Sequence, residues 1–325
     1  MKAIVIQDDH SLRWQEVEDP ILKEGEVCIE VHACALNRAD LLQREGKYPP
    51  PPGCPLWPGL EVSGIVKETS ETAKKFRVGD KVCALLGGGG YAEYVTVPES
   101  MVMPMPKHIS YAEAAAIPEV YATAYLNLFW VGRAKPGETL LMNAGASGLA
   151  SAVIPMAKAF GLRVLTTVRG AEKVKLVGYL HADRVIDTTA EDIAAVLREE
   201  EQNGHPVNLA IDCLGGDQLG KCLPYVARGC RWIQIATLAG DLSTVDFRNV
   251  YVKNIQIIGS TLRSTTPAEK GEILNGLVET LWEKIENGAV KVKIHQTLPI
   301  EQADEAQQIL YRGENVGKVV LLVKE

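Results

Sequence analysis

The stretch "LLMNAGASGLASAVIPMAKAFG", residues 140–161, decides how the chain is read. An apolar run ending at Met142 stops at Asn143, Ala144 and Gly145, and an apolar helical pattern then continues to Gly161. A strand that turns into a helix through small residues is either a tight corner or a phosphate cradle. A dinucleotide cradle needs small residues for the turn, for close approach of the pyrophosphate, and for packing of helix on strand. Gly145, Ser147 and Ala150 occupy those three positions, with Gly148 as a further small residue. The N–H groups at the start of the helix, from Ala146 through Leu149, then carry a partial positive charge toward a phosphate. A hydrolase nucleophile elbow is excluded, because the last position of G-x-S-x-G is Leu149.

The surroundings decide in favour of the cradle. Residues 110–132 are Ala-rich and read as helical. Beyond them, strand patterns at 139–142, 163–168, 184–186, 208–213, 231–235 and 255–258 alternate with segments of helical period. Strands alternating with helices make parallel βαβ units and a doubly wound sheet. Pro155 lies inside the following helix, where its missing N–H predicts a kink. The first hundred residues read instead as β: "AIVI", "EVCIEVHAC", "LEVSGIV", "DKVCALL" and "YAEYVTVP" are divided by Gly, Pro and charged turns, with one short helix at 38–44. Pro49 to Pro52 form an extended, rigid loop. After a long helix at about 267–287, the chain returns to β, helix and β. One β-rich domain made from both chain ends, with an α/β domain inserted, is the natural organisation.

Bulk composition agrees. A chain of 325 residues is long for one core, so two domains are expected. A formal charge of −7 argues against a nucleic-acid partner. No apolar stretch approaches the roughly 18 residues that span a bilayer, and the N-terminal "MKAIVIQDDH" is too short for a secretory core. A cytoplasmic protein is the default expectation. The seven cysteines are scattered without a C-x-x-C pair, so they suggest neither disulfides nor a thiolate zinc site.

The coenzyme type follows from the second strand of the α/β domain. An NAD site carries Asp or Glu at its tip to hold the ribose hydroxyls. The tip here reads Thr166, Thr167, Val168, Arg169, Gly170, with Lys173 one helical turn later. Two cations where an anion is expected suit the 2'-phosphate of NADPH.

"ALNRADLLQREGKYPPPPG", "PGLEVSGIV", "GGGGYAEYVTVP", "AGASGLA", "DCLGG" and "STLRS" follow in order. Together they resemble the zinc-free quinone oxidoreductase branch of the medium-chain dehydrogenase/reductase superfamily, most of all its tumour-suppressor-inducible subgroup. The likeness implies a GroES-like catalytic domain, residues 1–118 and 263–325, and a Rossmann NADPH-binding domain, residues 119–262. Zinc relatives take ligands from a Cys and a His at positions that are Asn37 and Leu60 here, so no tetrahedral N/S metal site is expected. Without a Lewis acid to stabilise an alkoxide, electron-poor acceptors such as quinones or conjugated enones are favoured. Hydride would pass from nicotinamide C4, and a donor must meet the charge that develops on the acceptor oxygen.

The resemblance places Asn37, Tyr48 and Thr123 around the nicotinamide and substrate cleft, with Tyr48 and Asn37 as the catalytic pair. It implies further coenzyme contacts from Thr167, from the loops 213–216 (Cys213, Leu214) and 236–240 (Ala236, Leu238), and from Leu262, Arg263, Asn315 and Lys318. Tyr121 is a weaker candidate for the cleft, and Glu61 reads as structural. Two departures, Arg169-Gly170 and Thr188, stand where the subgroup has Gly-Ser and Tyr, so the NADPH reading rests on Arg169 and Lys173. The likeness also implies a homodimer through edge strands near 250–259. An NADPH-dependent quinone reductase is the leading expectation. A 2-alkenal or enone reductase, or a weakly catalytic nucleotide-binding or crystallin-like protein, are the alternatives.

If Arg169 holds the 2'-phosphate, Arg169→Glu should weaken NADPH binding by about tenfold or more while sparing NADH, as removal of a charge-assisted contact requires. Dissociation constants for both coenzymes, measured by fluorescence titration, check this.

Overall fold

The computed structural model describes residues 1–324. The chain forms two compact units, Met1–Ala122 with the chain from Arg263 onward, and Thr123–Leu262. The passage between them lies inside the helix Pro118–Tyr125.

The first unit is built on β-strands. β1 (Lys2–Ile6) and β2 (Leu12–Glu16) form an antiparallel pair. β3 (Glu26–Ala35) alternates buried Val27, Ile29, Val31 and Ala33 with half-buried Cys28, Glu30 and His32, the period-two pattern of a strand with one face in the core. β4 (Glu61–Thr69), β5 (Lys81–Leu85), β6 (Tyr94–Pro98) and β7 (Val102–Pro104) follow. The short helix Arg38–Arg44 starts directly after β3, with Asn37 as its N-cap and Asp40 closing the capping box.

The second unit contains β8 (Thr139–Met142), β9 (Arg163–Val168), β10 (Arg184–Asp187), β11 (Val207–Asp212), β12 (Val226–Gln234) and β13 (Gln256–Gly259). They form one six-stranded sheet in the order β10-β9-β8-β11-β12-β13, and every pair is parallel. The order reverses between β8 and β11, which puts the ligand-binding crevice beyond the carboxyl ends of those two strands. β8 is buried along its whole length, as a central parallel strand must be.

The chain then returns to the first unit. After the helix Pro267–Glu286, β14 (Ile294–Pro299) and β15 (Lys318–Leu322) complete a sheet ordered β14-β15-β3-β4-β5-β7, with β6 paired to β3. β15 runs antiparallel to the end of β3, with Val320 opposite Ala35 and Leu321 opposite Cys34. This register brings the start of the last strand beside Asn37.

Local readings needed correction at two places. The Ala-rich run is not one helix. It divides into Tyr111–Ala115 and Pro118–Tyr125, because the residue before Pro118 is driven out of the helical region, and it ends in a π-helical turn, Leu126–Trp130. The expected edge strand near 250–259 is a helix, Phe247–Lys253, followed by the shorter β13. Asp246 caps that helix by accepting the Arg248 N–H, and Asn254 ends it in the left-handed region at φ 52°. Pro155 is carried inside the helix Ala150–Ala159, which runs through it without a break.

Gly145 is demanded by packing. A Cβ there would lie 2.5 Å from the Thr166 hydroxyl, which is itself buried and donates to the Met142 carbonyl at 2.7 Å. Gly145→Ala should therefore destabilise the protein by about 1–3 kcal/mol, the usual effect of overpacking a rigid site. Urea denaturation of the two proteins tests it, and an unchanged midpoint would show that the corner can relax.

Candidate active site

The corner at the end of β8 is held from one side. The Gly145 N–H donates to the Thr167 carbonyl at 2.7 Å, and the Ala144 N–H to the Thr167 hydroxyl at 3.1 Å. That hydroxyl in turn donates to Asn143 Oδ1 at 3.0 Å. Ser147 Oγ accepts the Ala150 N–H at 3.1 Å, at the start of the helix Ala150–Ala159. Ala146, Gly148 and Leu149 keep N–H groups with no acceptor among the described residues. These are the donors that an anion at a helix N-terminus would meet.

The neighbouring strand ends complete the crevice of this unit. Asp212, fully buried, accepts the N–H groups of Leu214 and Gly215 at 2.8 and 3.2 Å and the Trp232 indole N–H at 3.2 Å. The loops after β11 and β12 are joined by Leu238 N–H to Cys213 O at 3.1 Å and Ala239 N–H to Leu214 O at 2.7 Å. Gly215 must be glycine, since its φ is +64° and a Cβ would meet the Gly240 carbonyl at 2.6 Å. At the tip of β9, Arg169 is exposed, with no hydrogen-bond or ion-pair partner among the described residues. The Gly170 N–H is held at 2.8 Å by Asp187, from the next strand. That carboxylate lies below its ordinary pKa because it also accepts both the hydroxyl and the N–H of Thr189.

The first unit holds a buried polar cluster around Asn37. The Asn37 amide donates to Glu61 Oε1 at 2.9 Å and accepts from the Lys318 ammonium at 2.7 Å. Lys318 also pairs with Glu61 at 2.6 Å and donates to the Leu36 carbonyl at 2.6 Å. Glu61 uses its other oxygen to accept the Glu119 N–H at 2.8 Å, capping the helix Pro118–Tyr125. Below Asn37, Asp40 accepts the Asn37 N–H at 2.7 Å, the Gly59 N–H at 3.1 Å and the Tyr91 hydroxyl at 3.0 Å. Burial pushes the Asp40 carboxyl up to about 6 against those bonds.

Tyr48 is half-buried, and the Arg263 guanidinium stacks on its ring at 4.1 Å. Arg263 also donates to the Pro49 carbonyl. Its second terminal nitrogen is buried without a partner. Burial raises the Tyr48 phenol, with Arg263 opposing, so the hydroxyl stays protonated at neutral pH.

Comparison with known proteins shows the family. Residues 23–107 match the alcohol dehydrogenase GroES-like domain, and residues 180–321 match the zinc-binding dehydrogenase domain. A quinone oxidoreductase-like protein 2 homolog of Nematostella vectensis is 30% identical over 327 residues, covering 100% of this chain and 87% of its own. Mouse quinone oxidoreductase is 30% identical over 311 residues, covering 95% and 92%. The chain belongs to the quinone oxidoreductase branch of the medium-chain dehydrogenase/reductase superfamily. Among solved structures, a mycobacterial quinone oxidoreductase superposes with a TM-score of 0.85 at 28% identity over 99% of both chains. A mycobacterial protein complexed with NADPH superposes with a TM-score of 0.85 at 28% identity over 99% of this chain and 100% of its own.

Membership raises the question of zinc, and the donors around Asn37 do not fit it. The Asn37 amide is bonded between an ammonium and a carboxylate, and Leu60 is apolar and buried. Among the described residues no three His, Cys, Asp or Glu side chains converge as a metal site. His32 stacks on Tyr111 at 4.2 Å, and Cys34 is buried. Lys318 is 3% exposed and directs its donors to Leu36, Asn37 and Glu61. Thr167 is 1% exposed, and its hydroxyl braces the corner. Asn315, half-buried, donates to the Gly317 carbonyl at 2.9 Å. Thr123 is half-buried, and its carbonyl accepts from Asn127 at 2.8 Å. Ala236 and Leu214 are half-buried, Leu238 is exposed, and Leu262 and Cys213 are buried. Asp40, Tyr91 and Glu119 escaped the sequence reading. The "N-R-A-D" capping box was the one available signal, for Asp40.

Removing Lys318 would strand a buried carboxylate. Lys318→Met should cost about 3–5 kcal/mol, and adding Glu61→Gln should recover part of that loss. Chemical denaturation of the single and double variants checks it, and additive losses would show that the pair is not coupled.

Proposed function

We propose that this protein is an NADPH-dependent quinone reductase that works without a metal. The observation that carries this reading is the Asn37 amide, fixed between Lys318 and Glu61 at the place where a metal-dependent relative needs a thiolate. An oxidoreductase without a Lewis acid acts best on acceptors already short of electrons, and a quinone is such an acceptor. The quinone oxidoreductase relatives support the same class.

The free N–H groups of Ala146, Gly148 and Leu149 would hold the pyrophosphate, and Arg169 with Lys173 the 2'-phosphate. The paired loops 213–216 and 236–240 would lie along the dinucleotide. NADPH, when bound, supplies hydride from its nicotinamide C4. Tyr48 donates a hydrogen bond to the acceptor oxygen as negative charge develops there, and the ring gives the quinone a flat face. Asn37 orients groups at the reacting end, and Arg263 offers its unpaired N–H as a second donor. The protein is taken as a cytoplasmic homodimer joined through β13, an edge strand with Ile257 exposed and with Tyr251 exposed on the preceding helix. Among the described residues no helix is long and apolar enough to cross a membrane.

The test is NADPH oxidation with ortho- and para-quinones beside 2-alkenals, run with metal analysis and with a chelator present. Quinone turnover that survives the chelator is the expected result, with Tyr48→Phe lower in kcat by about 10²-fold, as for loss of one oxyanion donor. Preference for alkenals would reassign the protein as a double-bond reductase. Tight NADPH binding without turnover would make it a nucleotide sensor.

A further inference from the structure

The tip of β9 is held from the neighbouring strand. Arg169 is exposed, and its guanidinium bonds to nothing among the described residues. Its backbone, by contrast, is fixed on both sides. The peptide group before it is held at the Val168 carbonyl, which accepts the Thr188 N–H at 2.9 Å and the Thr188 hydroxyl at 3.1 Å. The peptide group after it is held at the Gly170 N–H, which donates to Asp187 Oδ1 at 2.8 Å. Both holds come from two successive residues, where β10 ends.

The turn that supplies them is itself braced. Asp187 Oδ1 also accepts the Thr189 N–H at 3.0 Å and the Thr189 hydroxyl at 2.7 Å. The Asp187 carbonyl accepts the N–H groups of Ala190 and Glu191 at 3.0 and 2.8 Å. The Glu191 carboxylate accepts the Asp187 N–H at 3.2 Å and pairs with Arg184. Gly170, at φ +95°, then turns the chain into the short helix Ala171–Leu176.

We propose that Asp187 and Thr188 set the coenzyme specificity of this protein, by holding the backbone of Arg169 ready for the adenosine 2'-phosphate. This rests on the NADPH reading above. Both are positioning residues that act through Arg169. A loop cation that orders only when its ligand arrives loses part of the binding energy to fixing backbone. Here the backbone is fixed beforehand, and only the side chain has to settle. The negative charge of Asp187 works against an incoming phosphate, so its contribution is geometric. An amide oxygen at the same place would serve as well.

Titration of the protein with adenosine 2',5'-bisphosphate and with 5'-AMP isolates the 2'-phosphate and needs no turnover. Asp187→Ala should weaken the bisphosphate by about tenfold, the cost of reordering one backbone residue, and leave 5'-AMP within about twofold. Asp187→Asn keeps the acceptor oxygen and should bind the bisphosphate at least as tightly as the wild type. In an Arg169→Gln background, Asp187→Ala should change nothing further, because the side chain it positions is gone. Equal weakening of both nucleotides by Asp187→Ala, a loss that persists in the Arg169→Gln background, or an Asp187→Asn loss as large as that of Asp187→Ala overturns the inference. Hydrogen exchange at the Gly170 amide of the wild type without nucleotide needs no variant. Slow exchange is expected from its bond to Asp187, and exchange as fast as in an open loop overturns the inference. If Arg169→Gln binds the bisphosphate as well as the wild type, the NADPH reading falls and this inference with it. If Arg169→Gln weakens it and Asp187→Ala does not, only this inference falls.

Discussion

The pair of Lys318 and Glu61 is what the first unit turns on. Both side chains are almost wholly buried, 2.6 Å apart, and they come from opposite ends of the sequence. Burying one such charge alone would be prohibitive, and the pair survives because its remaining donors and acceptors are also satisfied. Lys318 finds Leu36 and Asn37, and Glu61 finds Asn37 and the helix start at Glu119. The last strand is thereby locked beside the first long one, and the domain made from both chain ends is closed. The same bonds fix the Asn37 amide with its oxygen toward an ammonium and its nitrogen toward a carboxylate, so its orientation is decided by charge.

The second unit solves a different problem, that of bringing backbone close to a ligand. Gly145 packs against Thr166, and Thr167 ties the corner to the neighbouring strand. The bonds between the two later loops extend the order of the sheet past its carboxyl edge. What this leaves open is a row of N–H groups at a helix start, where the field is positive. Preorganised donors of this kind need no rearrangement when an anion arrives. The two units therefore use opposite devices, satisfied side chains in one and unsatisfied backbone in the other.

Much of this was legible in the residues. The alternation of β8 to β12 with helices showed in the period of their apolar positions. The corner showed because Gly145, Ser147 and Ala150 are small where size is critical. The helix Pro267–Glu286 announced itself through Thr266 and Glu269, a capping box with Pro at its start. The strand expected at 255–258 is β13, but residues 250–253 misled, because an apolar run that short suits either a strand or a half-exposed helix, and Asp246 and Asn254 at the ends of the helix Phe247–Lys253 decided for the helix. Nothing local in the sequence says that the partner of Lys318 lies at residue 61.

By itself, then, the sequence determined the class of each unit and the corner where a dinucleotide can sit. Those features depend on residue size, periodicity and spacing, which are local. Only the tertiary structure decided that Glu61, Asp40 and Lys318 form one buried network and that Thr167 faces inward. Burial and pairing arise from strands brought together across hundreds of residues, and no window of sequence contains that information.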